Sequence, residues 1–125
     1  ENWQKLHWRS LSSAYRSSPF FEFYEDELKE VFFRQPEKLM DFNIDLLSCI
    51  LSLIEIDFSF SFKENYSPLS PLEESLINAK KELTISYPVY QQVFATKHGF
   101  IPHLSILDLL FNLGPQSLDY LERLD

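Results

Sequence analysis

Three polar residues near the carboxyl end of the chain have the spacing of one helix face. Ser105, Asp108 and Asn112 occupy positions i, i+3 and i+7 of a stretch that is otherwise almost entirely apolar. A carboxylate on such a face can accept a proton as a general base, and a hydroxyl or an amide can hold a polar ligand. The same spacing fits a capping box, in which the Ser105 hydroxyl accepts from the N–H of residue 108 and the carboxylate reaches back. A capping box leaves Asn112 unexplained, because a buried amide needs partners of its own.

The histidines are the other candidates for chemistry. His7 stands between Trp3 and Trp8, and an imidazole among indoles is a candidate general base. The alternative is a packed imidazole that is held by one hydrogen bond. His98 and His103 are five residues apart across a glycine and a proline, a spacing too irregular for helical metal ligands. We therefore predict no metal site.

Hydrophobic periodicity predicts the helices that must position these side chains. Residues 2–16, 19–34 and 37–56 each have the period of an amphipathic helix, and short breaks separate them, which favours antiparallel neighbours. Residues 106–113 form a helix that is apolar nearly all round and must therefore be buried. Gly-Pro ends that helix, and a last helix follows over residues 116–124.

The middle of the chain has a different pattern. Three phenylalanines alternate with serines over residues 57–63, which predicts a half-buried strand. Residues 65–71 predict a loop, 72–83 a short helix, 84–86 the start of a strand and 90–94 a short strand or turn. The expected fold class is mainly α, with amphipathic helices packed as a small orthogonal or antiparallel bundle and one or two short β-strands.

Composition and charge exclude several classes of function. With 125 residues and 45% apolar residues, the chain is expected to form a single domain over residues 1–125. A net charge of −8 disfavours nucleic acid and anionic lipid surfaces as partners. Cys49 is the only cysteine, so no internal disulfide can form. No apolar stretch approaches the roughly 20 residues that span a bilayer, and we expect no signal peptide. We expect a cytoplasmic protein.

Common cofactor motifs are missing from the sequence. It has no Walker loop, no Rossmann glycine fingerprint, no HExxH motif and no paired cysteines. Two glycines in the whole chain leave no room for a glycine-rich loop around a phosphate. The sequence motifs therefore identify no cofactor, and the cofactor is unknown.

Two stretches of the sequence resemble the WbqC-like family of bacterial proteins. They are residues 2–28, NWQKLHWRSLSSAYRSSPFFEFYEDEL, and residues 87–115, YPVYQQVFATKHGFIPHLSILDLLFNLGP. The resemblance implies a link to the biosynthesis of O-antigen and other surface polysaccharides. His103 departs from the family pattern, where asparagine is expected before Leu-Ser-Ile-Leu-Asp. The residues that match the family pattern are His7, Tyr15, Pro19, Tyr90, Phe94, Ser105, Asp108, Asn112 and Gly114.

The resemblance also implies that the chain is the C-terminal part of a longer protein. Members of the family carry a Gln-Pro-x-Tyr-Leu-Pro segment before the Trp-x-x-x-His helix, whereas this chain begins at Glu1 without that segment. We expect the missing N-terminal part to pack against this unit and to supply a partner for the orphan strand at residues 57–63.

Two functions from different classes remain open. The first is part of an enzyme that acts on a sugar or nucleotide-sugar in surface-polysaccharide assembly. Its predicted catalytic residues are His7, as general base, and Asp108, and its predicted substrate-binding residues are Tyr15, Asn112 and Ser105. The second is a helical interaction or scaffold module without chemistry of its own. Convergence of these side chains on one accessible pocket favours the enzyme, whereas scattered side chains bonded to local backbone favour the module.

Overall fold

The computed structural model describes residues 2–71, 73 and 86–124. This part of the chain is mainly helical, as the sequence predicts. Its helices are α1 (Trp3–Tyr15), α2 (Phe21–Phe32), α3 (Leu39–Ile54), α4 (Ala95–His98), α5 (Ile106–Leu113) and α6 (Ser117–Glu122), with a 3-10 turn at Gly114–Gln116. Among the described residues, no helix has the length and apolar character needed to cross a membrane.

Helix α2 lies at the centre of the core, where it packs against α1, α3 and α5. Its Phe21 is fully buried and lies 6.2 Å from Trp8 of α1 and 5.1 Å from Phe111 of α5, measured between ring centroids. Leu28, which lies two helical turns beyond Phe21 on the same side of α2, is also buried. Each such side chain stabilises the fold by roughly 1.5–3 kcal/mol when it leaves water. The core is therefore built on aromatic contacts between helices.

Four predicted helices, those at 2–16, 19–34, 37–56 and 116–124, form with shorter ends, and the one at 106–113 forms with the predicted bounds. Helix α1 begins after Asn2, whose side chain accepts a hydrogen bond from the Lys5 N–H at 3.2 Å. Helix α2 begins two residues later than expected, with Phe20 as its N-cap residue. The Phe20 N–H donates to the Phe111 carbonyl at 2.9 Å, which ties this residue to α5. Helix α5 is enclosed, as expected, since Leu110 and Phe111 are fully buried.

The predicted strand at residues 57–63 does not form. This segment has no regular secondary structure, and no strand of the described residues pairs with it. Its side chains Phe58, Phe60 and Phe62 are exposed by 39%, 48% and 63%, so they contact each other rather than a core. The alternation is real, but a strand needs a neighbour that accepts its backbone hydrogen bonds.

The other predictions for the middle of the chain have mixed outcomes. Residues 90–94 form a turn and no strand. The predicted helix at 72–83 lies outside the described residues, apart from residue 73, and so does the predicted strand start at 84–86, apart from residue 86.

Residues 86–104, called the connecting segment below, lie against α5 without forming a sheet. Gln92 is buried, and its side chain holds the backbone of Ile101 in both directions: Oε1 accepts from the Ile101 N–H at 2.9 Å, and Nε2 donates to the Ile101 carbonyl at 2.9 Å. The Tyr120 hydroxyl of α6 donates to the Pro88 carbonyl at 2.7 Å. These side-chain bonds replace the backbone ladder that a strand would supply.

Gly114 allows α5 to end directly against Phe20. Its φ is 55°, and an added Cβ would lie 2.6 Å from the Phe20 ring. Phe20 has little freedom to move away, because its N–H is bonded to the Phe111 carbonyl. Gly99 also has a positive φ, 67°, but nothing lies within 4 Å of the corresponding Cβ position.

We predict that Gly114→Ala destabilises the protein more than Gly99→Ala. Both substitutions force alanine into a backbone region that costs about 1–3 kcal/mol. Only the first also overpacks the Phe20 contact, which adds a further cost of about 1–3 kcal/mol. Urea unfolding of both variants measures the difference, and equal losses would contradict the role given to Phe20.

His103 gives a second prediction, because it has a φ of 63°. Asparagine tolerates this left-handed conformation well, whereas a β-branched residue does not. We expect His103→Val to lower the free energy of unfolding by about 1–2 kcal/mol. His103→Asn should stay within about 0.5 kcal/mol of the wild type.

Both variants lose the edge-to-face contact of His103 with Tyr87, where the ring centroids are 4.4 Å apart. The asparagine variant therefore controls for that loss. Equal destabilisation in the two variants would show that the ring contact matters and the backbone conformation does not.

Candidate functional site

Asp108 is a buried carboxylate that neutral groups hold in place. Its side chain accepts two hydrogen bonds at Oδ2, one from the Tyr90 hydroxyl at 2.5 Å and one from Gln92 Nε2 at 3.1 Å. Only 4% of the residue is exposed, and no ion pair among the described residues includes it. Buried carboxylates need partners of this kind, because an unpartnered charge is costly to remove from water. Both donors come from the connecting segment.

The two tyrosines close to Asp108 keep their protons to higher pH than an ordinary phenol. Burial and the charge of Asp108 raise the pKa of Tyr15 well above the usual value. Burial and the hydrogen bond to Asp108 likewise raise the pKa of Tyr90. Each phenol therefore stays neutral and can donate a hydrogen bond to the carboxylate.

Asp108 and Tyr15 line a cavity of about 110 Å³ between the end of α1, the connecting segment and α5. We call it the Asp108 cavity, and the lining residues that matter for chemistry are Tyr15, Gln92, Phe94, His98, Leu104 and Asp108. His98 is exposed, whereas Gln92 and Asp108 are buried. The arrangement places a buried acceptor, Asp108, and the half-buried phenol of Tyr15 in one cavity with an exposed imidazole, His98.

Ser105 and Asn112 do not line the Asp108 cavity. Ser105 caps α5, but its hydroxyl accepts from the Leu107 N–H at 3.1 Å and not from residue 108. The carboxylate of Asp108 accepts from Tyr90 and Gln92 instead of reaching back to Ser105. The predicted capping box therefore does not form. Asn112 is buried, and its Nδ2 donates to the Asp108 carbonyl at 2.8 Å.

His7 also lies outside this group. It is exposed, and its ring meets the edge of Trp3 at a centroid distance of 5.4 Å. It precedes Tyr15 by two helical turns on α1, which corresponds to about 12 Å along the axis. The structure therefore brings Tyr15 together with Asp108, and does not bring His7 to them.

The polar residues of this cavity to which the sequence assigned no role in the site include Gln92 and His98. Both lie in the connecting segment, where no periodic pattern indicates which side chain faces the core. Of the two, only His98 is singled out by the sequence, where its spacing from His103 argues against a metal site. Within residues 2–71, 73 and 86–124, no group of three His, Cys, Asp or Glu side chains is placed to hold a metal ion.

Comparison with known proteins assigns the chain to a family. The family model described as "WbqC-like protein family" matches residues 1–86 and 64–120. Together these matches cover residues 1–120, so the relationship extends over essentially the whole chain and is not confined to a C-terminal part. The protein belongs to the WbqC-like family.

A curated relative gives no further function. The chain is 28% identical over 152 residues to the uncharacterized protein Rv1507c of Mycobacterium tuberculosis (strain ATCC 25618 / H37Rv). The alignment covers 96% of this chain and 64% of the relative, so the chain spans less than two thirds of that protein's length. No solved structure matches the chain.

The raised pKa of Tyr90 predicts how stability depends on pH. The unfolded chain ionises this phenol near pH 10, whereas the folded protein keeps it protonated to higher pH. Its contribution to stability is therefore complete below about pH 10 and is lost as the pH rises further. We expect the free energy of unfolding to fall less steeply between about pH 9 and 11 in Tyr90→Phe than in the wild type.

Urea unfolding at a series of pH values measures these slopes. Tyr66→Phe is the matched control, because the Tyr66 side chain is 89% exposed and its loss removes one phenol from solvent rather than from the site. A slope in Tyr90→Phe that equals that of the wild type would contradict the buried bond to Asp108.

Proposed function

We propose that this chain is part of an enzyme that acts on sugar units during the assembly of O-antigen or other surface polysaccharides. The observation that carries the proposal is a buried carboxylate, Asp108, in the wall of a cavity that also contains a protonated phenol, Tyr15. Sugars present hydroxyl groups that donate to carboxylates, and their apolar faces pack on aromatic rings. Phe94 supplies such a ring in the same cavity.

The two carboxylate oxygens of Asp108 have different roles in this proposal. Both bonds from Tyr90 and Gln92 end on Oδ2, so Oδ1 is left for Tyr15 or for a ligand hydroxyl. A sugar hydroxyl that donates to Oδ1 would be polarised by the negative charge, and Asp108 would then act as its general base. Tyr15 would donate to a neighbouring oxygen of the ligand.

The size of the cavity limits what enters it. A volume of about 110 Å³ is well below the roughly 300–1,000 Å³ of pockets that enclose a drug-sized ligand. One edge of a sugar ring therefore fits inside, and the remainder of a nucleotide-sugar would lie outside the mouth near His98. His98 lines the cavity and is exposed, so in this proposal its imidazole would contact the part of the ligand outside the mouth.

A thermal-shift screen against nucleotide-sugars, sugar phosphates and acyl-CoAs tests this proposal. A ligand present at about 100 times its dissociation constant stabilises the folded state by about 2.7 kcal/mol. We expect Asp108→Asn to lose this stabilisation. The matched control Asp119→Asn, at an exposed position of α6, should keep it.

The outcome is read against the stability of each variant without ligand. A nucleotide-sugar that stabilises the wild type and Asp108→Asn equally would contradict the proposed site. No response from any sugar compound, together with a response to acyl-CoA, would contradict the substrate class.

The two histidines give an independent test of the same proposal. If the chemistry takes place at the Asp108 cavity, His98→Gln should change the pH dependence of ligand binding or turnover, and His7→Gln should not. Both residues are exposed, so neither substitution is expected to change stability by more than about 0.5 kcal/mol. The reverse result would favour the general base predicted from sequence, His7, and would contradict the role given to this cavity.

The second candidate is an interaction module without chemistry. It is favoured by the internal bonding of Asn112 and by an exposed apolar side of α3, where Leu39, Met40 and Leu47 are exposed by 67%, 54% and 49%. Such side chains fit a unit that packs on a partner, including a further segment of the same protein. A module of this kind would bind no ligand in the screen, and its Asp108→Asn variant would differ from the wild type only in stability.

A further inference from the structure

A second cavity lies on the other side of Tyr90, between the connecting segment, α5 and α6. Its volume is about 140 Å³, and we call it the aromatic cavity after the rings of Tyr87, Tyr90, Phe100 and Tyr120 that line it. The Tyr90 ring meets the edges of Phe100 and Tyr120, each at a centroid distance of 5.3 Å. These rings form a wall with fixed, near-perpendicular geometry.

The hydroxyl groups of the two central tyrosines are used elsewhere. The Tyr90 hydroxyl donates to Asp108, and the Tyr120 hydroxyl donates to the Pro88 carbonyl. The cavity therefore receives mainly the carbon faces and edges of these rings. The side chains of Leu109 and Leu121 add apolar surface, and Ser105, a predicted substrate-binding residue, also lines this cavity.

Charge and size define the ligand. None of the described residues that line the aromatic cavity is Lys or Arg, so an anionic group would find no counter-charge. An apolar cavity of about 150 Å³ in another protein accepts benzene, and the volume here is close to that. The polar side chain of His103 lies at the rim, where a ring substituent can reach it.

We propose that the aromatic cavity is a binding site for an uncharged planar ring of the size of benzene or phenol. The ring packs against Tyr90 and Tyr120, and its polar substituent faces the rim. Tyr90 links the two cavities, because its ring lines this one and its hydroxyl bonds to Asp108, which lines the other. A ligand in the aromatic cavity therefore changes the hydrogen bond between Tyr90 and Asp108. An aromatic ligand would bind here whether or not the neighbouring cavity takes a sugar.

Titration of the ¹⁵N-labelled full chain with phenol tests the proposal by nuclear magnetic resonance. Cyclohexanol, of similar size but not planar, and benzoate, which carries a charge, are the comparison ligands. We expect saturable shifts with phenol and weaker binding of both other compounds. Intermolecular Overhauser effects from phenol to Tyr87 and Leu124 should locate the ligand. No saturation, equal binding of the three compounds, or contacts to other residues would overturn the proposal.

Two variants sharpen the result. Leu124→Trp fills the half-buried mouth of the cavity and should weaken phenol binding by about tenfold or more. Leu6→Trp, at an exposed position of α1, adds the same ring elsewhere and should leave binding unchanged. If Leu124→Trp fails to fold, the Overhauser contacts in the wild type still decide the location. Undiminished binding in a folded Leu124→Trp would overturn it.

The side-chain amide of Gln92 reports the link between the cavities, because Nε2 bonds to Asp108 Oδ2. Phenol should shift this signal in the wild type. In Tyr90→Phe, which keeps the ring and lacks the hydroxyl, phenol should still bind but no longer shift the Gln92 signal. An unmoved Gln92 signal in phenol-saturated wild type would overturn the shared role of Tyr90.

Discussion

The enclosure of α5 is the constraint on which the rest of the structure depends. A helix that is buried on nearly all sides cannot leave its polar side chains without partners, because each such group would lose its hydrogen bonds to water. Asn112 finds its partner within the helix itself, at the Asp108 carbonyl. Asp108 has no such local option, and Tyr90 and Gln92 must be brought to it from the connecting segment. This carboxylate therefore helps to fix the position of that segment, together with the bonds of Tyr120 to Pro88 and of Gln92 to Ile101.

The helices of this fold could be predicted from sequence, because their apolar residues recur with the helical period and their ends carry local signals. Asn2 and Ser105 cap helices as their residue types suggest. The segment at residues 57–63 shows the limit of such reasoning. Alternation of phenylalanine and serine specifies which side chains share a face, but it does not supply the neighbouring strand that a sheet requires.

The residues of the candidate site could be predicted only where they lie on helices that the sequence itself indicates. Asp108 and Tyr15 come together, as residues on buried helix faces often do. Gln92 and His98 were missed because their positions depend on contacts between distant parts of the chain, which no local period encodes. His7 lies in a convincing local context of tryptophans, yet its distance from Asp108 is set by the packing of α1 on α2 and α3 through Trp8 and Trp3. Composition around a residue is therefore a weaker guide than the face on which it lies.

The paired bonds between Gln92 and Ile101 have a consequence for how the family can vary. The Gln92 side chain bonds to both the N–H and the carbonyl of Ile101, nine positions away. These two bonds close a loop that accommodates a fixed number of residues. Substitutions at exposed positions within this loop are compatible with it, whereas an insertion or deletion of one residue would move Ile101 out of register. Relatives that retain a glutamine here should therefore conserve the length of this stretch more strictly than its sequence.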